Sequence, residues 1–209
     1  MDYATIVSTA LLYADRANDS EAVSAIDSML RIVEARINRG LLVMASSLRT
    51  YVQITDESQE YYDLPDGFSS FRSVKISTAQ DITAVRTTLE YATPSKLNDI
   101  RLNNLSGDWY TIEANKLQIH SDKLVLNNYI EYVNYADIIP LSSSVTTNWL
   151  SESYPDCYIN GIVVELCKFA KDWDSALAYE KMFRDCLSEI DLQDDRLTWS
   201  GSQLFTQVG

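Results

Sequence analysis

Between Ser20 and Ala45 apolar side chains recur every third or fourth residue: Val23, Ile26, Leu30, Val33, Ile37 and Leu41. From Leu48 the period drops to two. Leu48, Thr50, Val52 and Ile54 point one way, and Arg49, Tyr51, Gln53 and Thr55 the other. A period near 3.6 commits a segment to helix and a period of 2 commits it to strand. The helical period returns only after Tyr154. There Tyr158, Ile162, Leu166 and Phe169 line one face, and Ile159, Val163 and Ala170 widen it. The switch and its reversal predict an α+β chain: an antiparallel bundle of four main helices, an inserted antiparallel β-sheet, and an extended C-terminal arm.

The bundle is expected from residues 1–47 and 146–195, a β-rich subdomain with one short helix from 48–145, and the arm from 196–209. A first helix runs from Tyr3 to about Ala17, and Asn18-Asp19-Ser20 offers caps for the second. The second helix carries Asp27, Arg31, Glu34 and Asn38 on its wet side, and Gly40 is a point where it ends or bends. Strands are expected at Tyr61–Pro65, Phe71–Ile76, Trp109–Glu113, Lys116–His120, Lys123–Leu126 and Tyr129–Tyr135, with a hairpin turn at Asn115. Pro94 and Ser95 open the short helix. Ile138 to Val145 reads as a linker. Pro155 sits in the first turn of the third main helix, and Asp172-Trp-Asp-Ser restarts the fourth, with Leu177, Phe183, Leu187 and Ile190 as its stripe. Its wet side is Glu180, Asp185, Glu189 and Asp191.

The arm is the segment least explained by its surroundings. Residues 196–209 hold one charge, Arg196, after a strongly acidic helix, and they hold Leu197, Trp199, Leu204, Phe205 and Val208 without helical spacing. Solvated tails are usually charged or rich in Pro and Ser. An apolar, uncharged tail docks on something, either its own domain or a partner.

Composition narrows the function classes. The 209 residues suit one domain, or a domain with an insertion. The chain carries 17 Lys and Arg against 30 Asp and Glu, a net charge of −13, which argues against a direct grip on nucleic acid phosphates. The Lys and Arg residues are scattered singly, so no basic stripe is visible. The 13 Tyr suit half-wet contact surfaces or half-buried strands. Cys157, Cys167 and Cys186 form no CxxC, and the start Met-Asp-Tyr-Ala is not a signal peptide, which fits a reducing cytosol. No apolar run approaches a membrane span.

Candidate chemistry is sparse. His120 is the only histidine; a Cys/His metal site has no partners for it at ligand spacing, and a Ser-His-Asp triad is possible only through His120, with no Gly-x-Ser-x-Gly elbow in the chain. No phosphate-binding glycine loop is present. Asp194-Asp195 and the Asp172/Asp174 pair read as a solvated helix end and a cap rather than a two-metal nuclease centre. No catalytic, cofactor-binding or metal residue is assigned. The expectation is a protein that is not an enzyme.

Several stretches, in order, resemble a known family. They are Glu34-Ala-Arg-Ile-Asn-Arg39; Tyr62-Asp-Leu-Pro-Asp-Gly-Phe68 with Phe71-Arg-Ser-Val; Leu89-Glu-Tyr-Ala-Thr-Pro-Ser-Lys-Leu97; Trp109 to Ile119; Thr147-Asn-Trp-Leu150 with Tyr154-Pro-Asp-Cys-Tyr158; and Asp191 to Arg196 with Trp199-Ser-Gly201. Together they resemble the head-to-tail adaptor proteins of short-tailed bacteriophages, the group that includes tail tubular protein A-like proteins. The resemblance implies a homo-oligomeric ring, commonly of twelve copies, bound beneath the portal protein. Such a ring extends the DNA channel, lets DNA pass without specific binding, and gives a docking platform for a downstream tail or nozzle protein. It implies a place at the head-tail junction of the virion after assembly in the host cytoplasm, with no membrane contact and no cofactor. It also implies that the arm, through Leu197, Trp199, Leu204, Phe205 and Val208, binds the portal. The alternative reading is an acidic module that mimics nucleic acid and blocks a basic partner. An acid-dependent nuclease is the weakest of the three.

Overall fold

The computed structural model describes residues 1–41, 43, 46–65, 67–81 and 83–199, with the backbone alone for 197–199. It mixes helix and sheet. Two compact units are present, Met1–Ala45 with Ile138–Gly209, and Ser46–Asp137.

The first unit is helical among its described residues. It contains α1 (Tyr3–Tyr13), α2 (Ser20–Gly40), α4 (Trp149–Ser153), α5 (Pro155–Phe169) and α6 (Trp173–Trp199). The helix starts follow from local chemistry. Asp2 accepts from the Thr5 N–H, Asp19 from the Glu21 and Ala22 N–H groups, and Asp172 from the Ser175 N–H. Each side chain satisfies donors that a first helical turn leaves open. Asn148 and Ser151 form a reciprocal capping box on α4, and Pro155 opens α5.

α5 packs against α1, α2, α4 and α6. Tyr158, Ile162, Val163 and Leu166 on α5 are wholly buried, as are Ile6, Val33 and Ile37. Gly161 lets α5 approach its neighbours: a Cβ there would lie 2.6 Å from Val33 Cγ1 and 3.1 Å from the Phe183 ring. α4 was not expected from the sequence, which shows four main helices and one short one where the described residues form six. The supposed linker from Ile138 is also part of this unit. Ile138 and Leu141 are buried in its core.

The second unit holds α3 (Pro94–Leu102) and eight strands. These are β1 (Ser47–Gln53), β2 (Tyr61–Asp63), β3 (Phe68–Ser77), β4 (Arg86–Thr88), β5 (Glu90–Tyr91), β6 (Trp109–Glu113), β7 (Lys116–His120) and β8 (Tyr129–Ala136). They form two four-stranded sheets, β1-β8-β3-β4 and β2-β7-β6-β5, where one antiparallel sheet was expected. The second sheet is not wholly antiparallel either, because β5 and β6 pair in parallel. The chain between them is α3, the crossover that a parallel pair needs and that a tight hairpin cannot supply. The expected strand at Lys123–Leu126 is turn and irregular backbone.

Ala114 and Asn115, both at positive φ, make the β6–β7 turn. That is the two-residue geometry whose twist suits a hairpin. Val74, Ile76, Ile130 and Tyr132 from the first sheet share one core with Tyr62, Leu117 and Ile119 from the second. Phe71 meets Tyr110 and Tyr132 edge-on, at centroid separations of 5.8 and 5.4 Å.

Candidate interaction surfaces

The expected arm begins inside a helix. α6 continues through Arg196 to Trp199, so Leu197 and Trp199 belong to its last turn rather than to an extended segment. No glycine or proline interrupts α6 before Gly201, and the basic Arg196 in the last turn complements the helix dipole. Leu204, Phe205 and Val208 lie outside the described residues.

On the helical unit, α2 supplies two ionic nodes. Arg36 donates to both Glu180 oxygens, at 2.7 and 2.8 Å, and to Glu165 at 3.4 Å, with its guanidinium 4.7 Å from the Phe183 ring centroid. Lys168 and Arg184 complete the charge balance on Glu165 and Glu180. Burial alone would push the Glu180 carboxyl up. The hydrogen bonds from Arg36 and Arg184 outweigh it and hold the group below its ordinary value. Glu34, placed on the wet side by helical spacing, is instead 3% exposed. It accepts from the Leu141 N–H and from Arg31, yet burial still pushes its carboxyl up.

The far end of α6 is acidic. Asp191, Asp194 and Asp195 stand at i, i+3 and i+4, so they share one side of the helix. Desolvation and the like charges of Asp195 and Asp194 push the Asp191 carboxyl up. At the other end, Trp173 and Leu177 are 62% and 70% exposed. The stripe expected to bury Leu177 runs through Ala176 instead. Ala176 lies seven residues before Phe183 and shares its face; Leu177 lies six before and does not.

The second unit carries a feature that spacing along the chain conceals. Register in the first sheet aligns Arg49 with Val133 and Ser73, Tyr51 with Glu131 and Lys75, and Gln53 with Tyr129, Ser77 and Arg86. These residues share the face opposite the core. A register irregularity between Phe71 and Ser73 adds Arg72. Arg49, Arg72, Lys75 and Arg86 thereby gather around one carboxylate, Glu131, which is 3% exposed. Arg49 Nε lies 3.6 Å from Glu131, and Arg86 Nε donates to it. Arg49, Arg72, Ser73, Lys75 and Glu131 line a shallow depression of about 480 Å³. The expectation of singly scattered cations therefore fails at this face, because strand pairing joins positions that lie far apart in sequence.

The chemistry expected to be absent is traced to structural roles where its residues are described. The His120 ring Nε2 sits 3.2 Å from the Leu105 carbonyl oxygen. Asp172 caps α6. The Cys186 thiol is pushed up by its hydrogen bond with Cys157, by burial and by Asp156, whose Oδ2 accepts from it at 3.2 Å. A thiol held protonated in this way is a poor nucleophile. Among the described residues no cluster of His, Cys, Asp or Glu could hold a metal ion, and no helix is long and apolar enough to cross a membrane.

The model of the SU10 adaptor protein family matches residues 1–205. The chain belongs to the SU10 adaptor protein family. Membership gives it a phage head-to-tail adaptor role, at the head-tail junction of the virion. Portal and tail proteins are the partners that such a role implies. No curated protein matches the chain. For an adaptor the relevant sites are surfaces rather than a cleft, and the sheet face around Glu131 and the acidic end of α6 are the strongest charged surfaces described above.

Proposed function

We propose that this adaptor assembles as a ring, of about twelve copies in the manner of tail tubular protein A-like proteins, bound beneath the portal. The ring extends the DNA channel and offers a platform to the next tail component. The helices α1, α2, α5 and α6 serve as an antiparallel bundle, the β unit as an inserted subdomain, and residues 196–209 as an arm whose Leu197, Trp199, Leu204, Phe205 and Val208 grip the portal. The observation that carries this reading is the family match over nearly the whole chain.

Charge supports it. A net charge of −13 per copy would keep DNA, with its dense phosphates, off a channel wall. The apolar, nearly uncharged tail composition suits docking on another molecule. Electron microscopy of the purified protein mixed with its cognate portal tests the reading. A closed ring under the portal is expected. A protein that stays single beside its portal would refute it.

A further inference from the structure

Gln118 is buried without a partner. It stands in the middle of β7, where Leu117 and Ile119 turn into the core shared by the two sheets and Gln118 turns to the opposite face. It is 5% exposed, yet its carboxamide makes no hydrogen bond among the described residues. Register sets it between Tyr61 of β2 and Thr111 of β6. The Thr111 hydroxyl is wholly buried and has no partner either. Buried polar groups are nearly always paired, because an unpaired one gives up its bonds to water for nothing in return. Local rules of this kind are broken where function requires it.

Gln118 is the one buried residue in the lining of a depression of about 380 Å³. Tyr61 lines it from β2, Ser95, Asn98 and Arg101 from α3, and Glu113 from β6. The charges there bound what can enter. Arg101 is held by Glu60, with Nη2 at 2.7 Å from each carboxylate oxygen. Glu113 enters no ion pair among the described residues. A cation would meet Arg101 and an anion would meet Glu113, so a neutral polar group is favoured. The depression is open and mostly polar, without the apolar lining on which a free small molecule relies. A side chain of a larger partner is carried in by the rest of its interface.

The shape of that side chain follows from Gln118. Its carboxamide both donates and accepts. A trans peptide carries its N–H and C=O on opposite edges and can satisfy only one of the two. Among neutral protein groups, the primary carboxamide of Asn or Gln presents donor and acceptor on one edge and pairs with both at once. We propose that this depression is a socket for the side-chain carboxamide of an Asn or Gln on a protein partner of the adaptor, paired with Gln118. The adaptor role supplies protein partners. The socket does not depend on whether copies of the chain close into a ring.

The test titrates full-length, isotopically labelled protein with the N-acetyl methylamide of glutamine and follows the Gln118 side-chain NH₂ by NMR. The glutamate and arginine counterparts and maltotriose are run at the same concentration. The glutamine compound is expected to shift the Gln118 signals and the other three are not. Asn98→Trp, which plugs the mouth from the exposed side of α3, should abolish the shift. Gln118→Leu removes an unpaired buried amide, so the isolated variant should unfold at the same or a higher urea concentration. Its attachment to the cognate portal or to the next tail protein should weaken about tenfold. A glutamine with a structural role behaves in the reverse way. A lowered urea midpoint or failure to fold in Gln118→Leu therefore overturns the proposal. So does a shift of Gln118 by glutamate, arginine or maltotriose that exceeds the shift by glutamine, or no shift by any of them. Attachment to both proteins unchanged in both variants overturns it as well. None of these outcomes bears on the ring, which imaging of the unmodified protein on its portal tests separately.

Discussion

Glu34 and Leu141 lie 107 residues apart in the chain, yet the Glu34 carboxylate accepts the Leu141 backbone N–H at 2.6 Å. The contact fastens the segment after the β unit to α2. The same carboxylate takes Arg31 at 2.9 Å through its other oxygen. A buried N–H needs a partner, and Glu34 provides one where no helix or sheet does.

Glu34→Ala should therefore cost about 1–3 kcal/mol, the cost of a buried donor left unpaired. Glu34→Gln keeps an acceptor and should cost less. Burial holds the Glu34 carboxyl above its ordinary value, so the folded state binds its proton more tightly than the unfolded chain does. Its contribution is fully present below the unfolded pKa and is lost as pH rises through the folded one. Urea denaturation across a pH series should show that slope just above the ordinary carboxylate range, and Glu34→Gln should remove it.

Glu180 predicts the opposite sign. Arg36 and Arg184 hold its carboxyl below the ordinary value, so its contribution is present above the unfolded pKa. It is lost as pH falls through the folded pKa. Glu180→Gln should lower stability at neutral pH by about 1–3 kcal/mol and reduce acid sensitivity. The same urea series, continued to acid pH, measures it. An unchanged acid limb would show that the Arg36 node contributes nothing to stability.

Gly161→Ala should destabilise by about 1–3 kcal/mol, although alanine is the better helix former. The added methyl would collide with Val33 and Phe183. Gly40→Ala is the control. Among the described residues its Cβ would meet Leu187 Cδ1, at an ordinary 3.7 Å. Thermal unfolding should separate the two variants by several degrees.

Removing residues 197–209 should leave the far-ultraviolet circular dichroism of the chain nearly intact while portal attachment is lost in a pull-down. Loss of helical signal or precipitation of the truncated chain would make the tail part of the core and end the arm reading.

Some of this was legible in the residues. The apolar stripes of α2 and α5, the alternation of β1 and the turn at Asn115 are local patterns. A 3.6-residue or 2-residue period is set by backbone geometry before any tertiary contact forms. Other features depend on what packs against what. Glu34 sits where helical spacing calls for solvent, but Leu141 arrives from a distant segment and buries it. Val23 and Phe169 fit their stripes and yet are 43% and 45% exposed. Both lie near a helix end, where fewer neighbours reach. The parallel β5–β6 pair escaped notice because β5 is two residues long, too short to show a period.

By itself the sequence determined where helix gives way to strand and back, since periodicity, caps and turn residues act over a few neighbouring positions. It also determined the net charge. Only the tertiary structure decided which charges stand together. Strand register placed Arg49, Lys75 and Arg86 around Glu131, although they are separated by up to 82 residues (49 to 131) along the chain. Pairing of distant strands is a long-range event that no local pattern encodes, so the basic face came into view only with the fold.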